Sequence, residues 1–98
     1  MDLDRVFAAL ASGPRRQMLA LLSQTALTTS ELAARFPMSA PAISRHLSVL
    51  LNAGLVESER QGQRVLYRLK RDTLLNALAR LASEVDGPLR RDPPREAI

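Results

Sequence analysis

Apolar residues recur three and four apart along most of this chain and alternate in only one stretch, a contrast that predicts five helices and one hairpin. Leu3, Val6, Phe7 and Leu10 stand at i, i+3, i+4 and i+7, a short amphipathic helix over residues 3 to 11. Ser12-Gly13-Pro14 interrupts it. Proline fits only the first turn of a helix, so a second helix opens here, striped by Met18, Leu19 and Leu22. Thr28-Thr29-Ser30-Glu31 has the S/T-x-x-E spacing of a capping box, and Leu32, Ala33 and Phe36 face inward from the third helix until Pro37 stops it.

The fourth helix is the most informative. Ser39 is a good N-cap and puts Pro41 at the second helical position, where no intrahelical donor is lost. Ile43, Leu47 and Leu50 form a buried stripe, and Gly54 supplies the left-handed residue after the helix end. Pro41, Ser44, Arg45 and Ser48 line the opposite side, a face of small side chains with one long cation. Such a face lets a helix backbone approach a partner closely. Residues 55 to 60 and 63 to 69 predict two strands around Gln61-Gly62, with Val65, Tyr67 and Leu69 inward and Arg64 and Arg68 outward. From Asp72 to Val85 a last helix repeats Leu74, Leu78, Leu81 and Val85 on one face, with Leu75 and Ala82 flanking. The proline-rich, charged GPLRRDPPREAI of residues 87 to 98 reads as a disordered tail behind one domain over residues 1 to 86.

Two helices joined by a short turn, the second with a small polar face, make a helix-turn-helix, and a hairpin directly after it makes a wing. The fold class expected is mainly α with a small β-hairpin: a winged helix-turn-helix. Charge sharpens this reading. The chain carries +4, from fourteen basic and ten acidic residues. Residues 39 to 71 hold six bases (Arg45, Arg60, Arg64, Arg68, Lys70, Arg71) against Glu57 and Glu59, so the whole excess lies in that third. This is the footprint of a polyanion-binding face. Double-stranded DNA is the expected partner, read by Ser39, Ala40, Pro41, Ser44 and Arg45, with His46, Arg60, Gln61 and Arg64 against the backbone. The alternative is a winged-helix interaction module whose basic face binds an acidic protein.

Other chemistry is thinly represented. There is no cysteine and a single histidine, His46, at the edge of the aliphatic stripe, so neither a thiolate nor a multi-imidazole metal site is expected. His46 reads as structural or phosphate-contacting. The acids Asp4, Glu31, Glu84 and Asp86 are scattered at helix ends, with no paired carboxylates, Ser-His-Asp order or Gly-rich phosphate loop, so no catalytic site and no cofactor are expected. Acids near the N-terminus and the lack of a long apolar run predict a cytoplasmic protein without membrane partners. Ninety-eight residues build only a small core, and the last helix carries more leucine than that core can cover. A homodimer through Leu3, Val6, Phe7, Leu74, Leu78, Leu81 and Val85 is the expected remedy.

The segments LASGPRRQMLALL and LTTSELAARFPMSAPAISRHLSVLLNAGLVESERQGQRVLYRL, followed by the leucine-striped helix, resemble the ArsR/SmtB winged-helix bacterial repressors over residues 3 to 85. Within that family the chain is most similar to the cysteine-free SdpR-type autorepressors. The resemblance implies a homodimer built from the first and last helices and a recognition helix at residues 40 to 53. It also implies a repressor or autorepressor on a pseudo-palindromic operator. The metal-sensing branches place cysteines near the third or fourth helix, or Asp and His on the last, and this chain departs from both patterns. An inducer, if there is one, is then expected to be an organic ligand or a partner protein.

Overall fold

The computed structural model describes residues 1–86, which form α1 (Leu3–Leu10), α2 (Gly13–Leu22), α3 (Thr29–Ala33), α4 (Ala40–Asn52), β1 (Val56–Gln61), β2 (Arg64–Leu69) and α5 (Arg71–Val85). The elements and their order are those expected. The tail expected over residues 87–98 lies outside the described residues.

Helix starts follow from local chemistry. The side chains of Asp2, Ser12, Thr28 and Ser39 each accept a hydrogen bond from the backbone N–H three residues on, so four of the five helices open on a capped turn. At α3 the box is reciprocal: Glu31 N–H donates to Thr28 Oγ1 at 3.1 Å, and Thr28 N–H donates to Glu31 Oε1 at 2.8 Å. Pro14 and Pro41 both sit in first turns. The end of α4 is equally local. Gly54 takes φ +75°, and the N–H groups of Gly54 and Leu55 donate back to Leu51 and Leu50, which satisfies two orphan carbonyls and turns the chain sharply into β1.

The core is aliphatic, and no polar or charged side chain is buried among the described residues. Ile43, Leu47 and Leu50 of α4 are buried against Val6, Met18, Leu22, Leu32 and Leu55, so the inward stripe of α4 fixes which face it turns outward. β1 and β2 pair antiparallel with Gln61 opposite Arg64, and a reciprocal backbone pair between Leu27 and Tyr67 flanks the other edge of β2.

Four expectations are corrected. Helix α3 ends at Ala33 rather than reaching Pro37, because Arg35 N–H turns to the Leu32 carbonyl in a tighter turn and the residue before proline avoids helical geometry. Phe36 is therefore half-buried in the turn. The hairpin turn is Gly62-Gln63, with Gly62 at φ +65°, one residue later than expected. In β2, Tyr67 and Leu69 are half-buried and pack against the core as expected, but Leu66, on the other side of the strand, is buried as well. Arg64, on the same side of the strand as Leu66, reaches Glu31, so this side turns toward α3. Val6, expected at a dimer seam, has no exposed surface and belongs to the subunit's own core.

Helix α5 buries only Ala77. Leu74 is half-buried, whereas Leu75, Leu78, Leu81 and Val85 are 54, 45, 41 and 67% exposed, so one whole apolar face is left uncovered. Leu3 and Phe7 of α1 are half-buried.

Candidate nucleic-acid interface

The inward stripe of α4 orients the rest of the helix. Ser39, Ala40, Pro41, Ser44, Arg45 and Ser48 are all exposed, as the alternation with Ile43 and Leu47 requires. Ser39 is both exposed and committed, its Oγ accepting from Ala42 N–H at 3.3 Å. Arg45 makes no hydrogen bond or ion pair with any described residue, and its guanidinium keeps all five donors. Val49, four residues on, is an exposed apolar neighbour that helical periodicity alone does not assign to either face.

The wing is less free than its charge implies. Arg64 Nη2 lies 3.3 Å from Glu31 Oε2 and Arg68 Nη2 lies 2.8 Å from Glu59 Oε1. Two of the six bases of residues 39 to 71 are thereby paired. Arg60 is exposed and reaches only the Gly62 carbonyl, at a long 3.5 Å, and Gln61 beside it is exposed as well. Arg60 is the wing cation with the most freedom, and Arg64 doubles as a tie between wing and α3.

His46 does not face outward with Arg45. It is half-buried, with Nδ1 3.3 Å from Arg15 Nη1. A guanidinium can only donate, so Nδ1 accepts and the ring is neutral with its proton on Nε2. Arg15 also donates through Nε to the Ala9 carbonyl at 2.8 Å and through Nη2 to the Ala8 carbonyl at 3.2 Å. One side chain therefore joins the C-terminal end of α1, where helix carbonyls lack partners, to the recognition helix. Sequence reading missed Arg15, and also missed Glu31 as the partner of the wing. Both links span some thirty positions, and no local signal marks them.

These contacts set an acid response. Burial, then Arg15 and Arg45, holds His46 below the ordinary histidine value. The unfolded chain takes up a proton near pH 6.5 that the folded ring resists, so stability falls as pH drops below about 6.5. Glu31 acts lower. The Thr28 backbone N–H above all, then its hydroxyl, Arg64 and Arg35 outweigh partial desolvation and keep its carboxylate below the usual range, so its contribution is lost as pH falls through that lowered value. His46→Gln should remove the upper step alone. Thermal melts at about pH 8 and pH 5.5 check this, and equal losses in wild type and variant would take His46 out of the response.

Known proteins share this arrangement. Residues 12–58, from the start of α2 into β1, match the model of the bacterial regulatory protein arsR family. The transcriptional repressor SdpR of Bacillus subtilis is 33% identical over 76 residues, covering 78% of this chain and 84% of that protein. The chain belongs to the ArsR family. Among solved structures, the ArsR-like transcriptional regulator from Rhodococcus sp. RHA1 superimposes with a TM-score of 0.81 at 36% identity, over 91% of this chain and 83% of that one. The homodimeric winged helix-turn-helix DNA-binding domain of Mb0332 from Mycobacterium bovis gives 0.70 at 29% identity, over 94% and 86%. The chain spans between 52 and 84% of the length of the first curated relatives it matches. In this ArsR-family member the fold is the winged helix-turn-helix: α3, the 34–39 turn and α4 form the motif, and β1 and β2 the wing. Among the described residues no three of His, Cys, Asp or Glu gather closely enough to hold a metal ion, and no helix is long and apolar enough to cross a membrane.

Proposed function

We propose that this protein is a dimeric, sequence-specific DNA-binding transcriptional regulator that represses by occupying a pseudo-palindromic operator. The observation that carries the reading is the outward face of α4, where a guanidinium without a protein partner stands among side chains too small to keep the helix backbone out of a groove. A helix of this width fits the major groove, where arginine pairs bidentately with guanine and apolar groups such as Val49 meet thymine methyls. Ser39, Ala40, Pro41, Ser44 and Arg45 read the base edges. Arg60, Gln61 and Arg64 hold the flanking backbone, and His46 acts from behind, through Arg15.

The uncovered leucine face of α5 supplies the dimer, and with it the spacing of two recognition helices one DNA turn apart, about 34–36 Å. The repressor SdpR and the homodimeric Mycobacterium bovis domain lend support by similarity. A site on chromosomal DNA places the protein in the cytoplasm, and nothing in the reading calls for catalysis or a cofactor.

Selection from a pool of random duplexes should enrich an inverted repeat with half-site centres one turn apart. A pool that stays random while an acidic protein is captured instead would favour the interaction-module reading. The wing is tested by salt. The slope of log K against log salt falls by about 0.9 for every phosphate that the protein no longer neutralises. Arg60→Ala should flatten it and weaken binding to every duplex alike, and Arg64→Ala should do so less, since Glu31 already claims part of that charge. Wild-type slopes in both variants would show a hairpin that does not touch DNA.

A further inference from the structure

The geometry points to a binding site for an aliphatic carboxylate, of the fatty-acid class, in an open cleft of about 470 Å³ between α2 and the start of α5. The volume falls within the range of small-molecule sites. Leu19, Leu69, Leu74 and Leu78 supply walls, and neither an aromatic nor an acidic side chain lines it. Two arginines do. Arg16 Nη1 donates to the Leu10 carbonyl at 2.6 Å, and Arg71 Nη2 donates to the Ser23 carbonyl at 3.2 Å.

Those carbonyls close the C-terminal ends of α1 and α2, so each guanidinium is pinned where a helix end already favours a cation. Each still has four N–H donors, and neither forms an ion pair with a described residue, unlike Arg64 and Arg68. From Arg16 to Ser23 the cleft follows seven residues of α2, about 10 Å of helix rise, with leucine between the two cations.

This combination selects the occupant. A cationic amphiphile would meet two like charges and no acid. A purely apolar partner, such as leucines from a second copy, would cover the walls while taking both guanidiniums from water without counter-charge, which is costly. A carboxylate with an aliphatic tail satisfies both halves, its head in charge-assisted bonds with one guanidinium and its tail on the leucines. Leu78 belongs also to the uncovered face of α5, so occupancy bears on how α5 sits against the helices that carry α4. That regulatory step rests on the DNA-binding reading, whereas the site does not, because ligand binding is measured without DNA.

The test is calorimetric titration of the full chain with decanoate, decan-1-ol and decyltrimethylammonium, followed by operator binding with and without decanoate. Saturable binding of one decanoate per subunit is expected, with decan-1-ol weaker by about tenfold for want of the charged hydrogen bond, and no saturable uptake of the cation. Arg16→Gln and Arg71→Gln should each weaken decanoate binding. Ala20→Trp, at an exposed position on the cleft wall, should abolish it while the protein stays folded and dimeric, and decanoate should lower operator affinity in wild type only. Equal affinity for decanoate and decan-1-ol, or undiminished binding by Ala20→Trp, would overturn the site. So would a wild type that takes up no decanoate while Ala20→Trp becomes monomeric, which would assign the cleft to the partner subunit.

Discussion

Leu78→Glu should yield a folded monomer that has lost its operator. In the isolated subunit Leu78 is 45% exposed, so a glutamate there reaches water and leaves the core intact. Across a seam built on Leu75, Leu78, Leu81 and Val85, the same substitution would bury a carboxylate from each subunit. Burying a carboxylate costs several kcal/mol, which the Arg16 and Arg71 guanidiniums of the adjoining cleft offset only in part, and symmetry imposes it twice. That outweighs what one helix face returns. A monomer then holds a single half-site and forgoes the gain of two linked half-sites, a factor on the order of a hundred or more. Leu75→Glu, on the same face but away from the α2 cleft, should behave alike and separates the seam from the ligand site. Sedimentation or light scattering at micromolar concentration checks both. A dimeric Leu78→Glu with unchanged operator affinity, or a monomeric wild type, would remove α5 as the seam.

What the sequence disclosed and what it withheld divide along sequence separation. Ser12, Thr28 and Ser39 act on a backbone N–H three residues away, and Gly54 on carbonyls three to five residues back, so these helix boundaries were legible to within a residue or two. The stripe Ile43, Leu47 and Leu50 was legible for the same reason, since a helix repeats within a few residues. The short α3 was not, because Pro37 bounds the helix without saying how far ahead of it the chain tightens, as Arg35 N–H does in turning to the Leu32 carbonyl. Nor was Leu66, because strand alternation implies a single covered side and β2 is covered on both. For Val6, periodicity tells that a residue is covered and not by which chain, and the fold gives it to the subunit's own core. On the candidate face, the exposure of Arg45 followed from helical phase alone, whereas the Arg15–His46 and Arg64–Glu31 links exist only once distant elements have met.

Arg45→Ala should weaken specific binding by about tenfold to more than a hundredfold while leaving stability nearly unchanged. Arg45 is exposed and bonded to no described residue, so its removal leaves no protein group unsatisfied and opens no cavity. On DNA, one bidentate arginine–guanine pair is worth roughly 1–3 kcal/mol of discrimination, about tenfold to more than a hundredfold in affinity ratio. Arg45→Lys separates the two things arginine brings. Lysine restores the charge, and so the salt slope, but it is a point donor without the planar fork, so the base preference should recover only in part. The aim of Arg45 depends in turn on the rotation of α4, which Arg15 fixes by holding His46 and the end of α1 together. Arg15→Ala should therefore weaken discrimination without touching a base, and combining it with Arg45→Ala should add little further loss of specificity. Gel-shift competition against single-base operator variants reads all of these. If Arg45→Ala kept the wild-type preference at every position, the readout would lie elsewhere on α4, with Ser44, Ser48 and Val49 the next residues to replace.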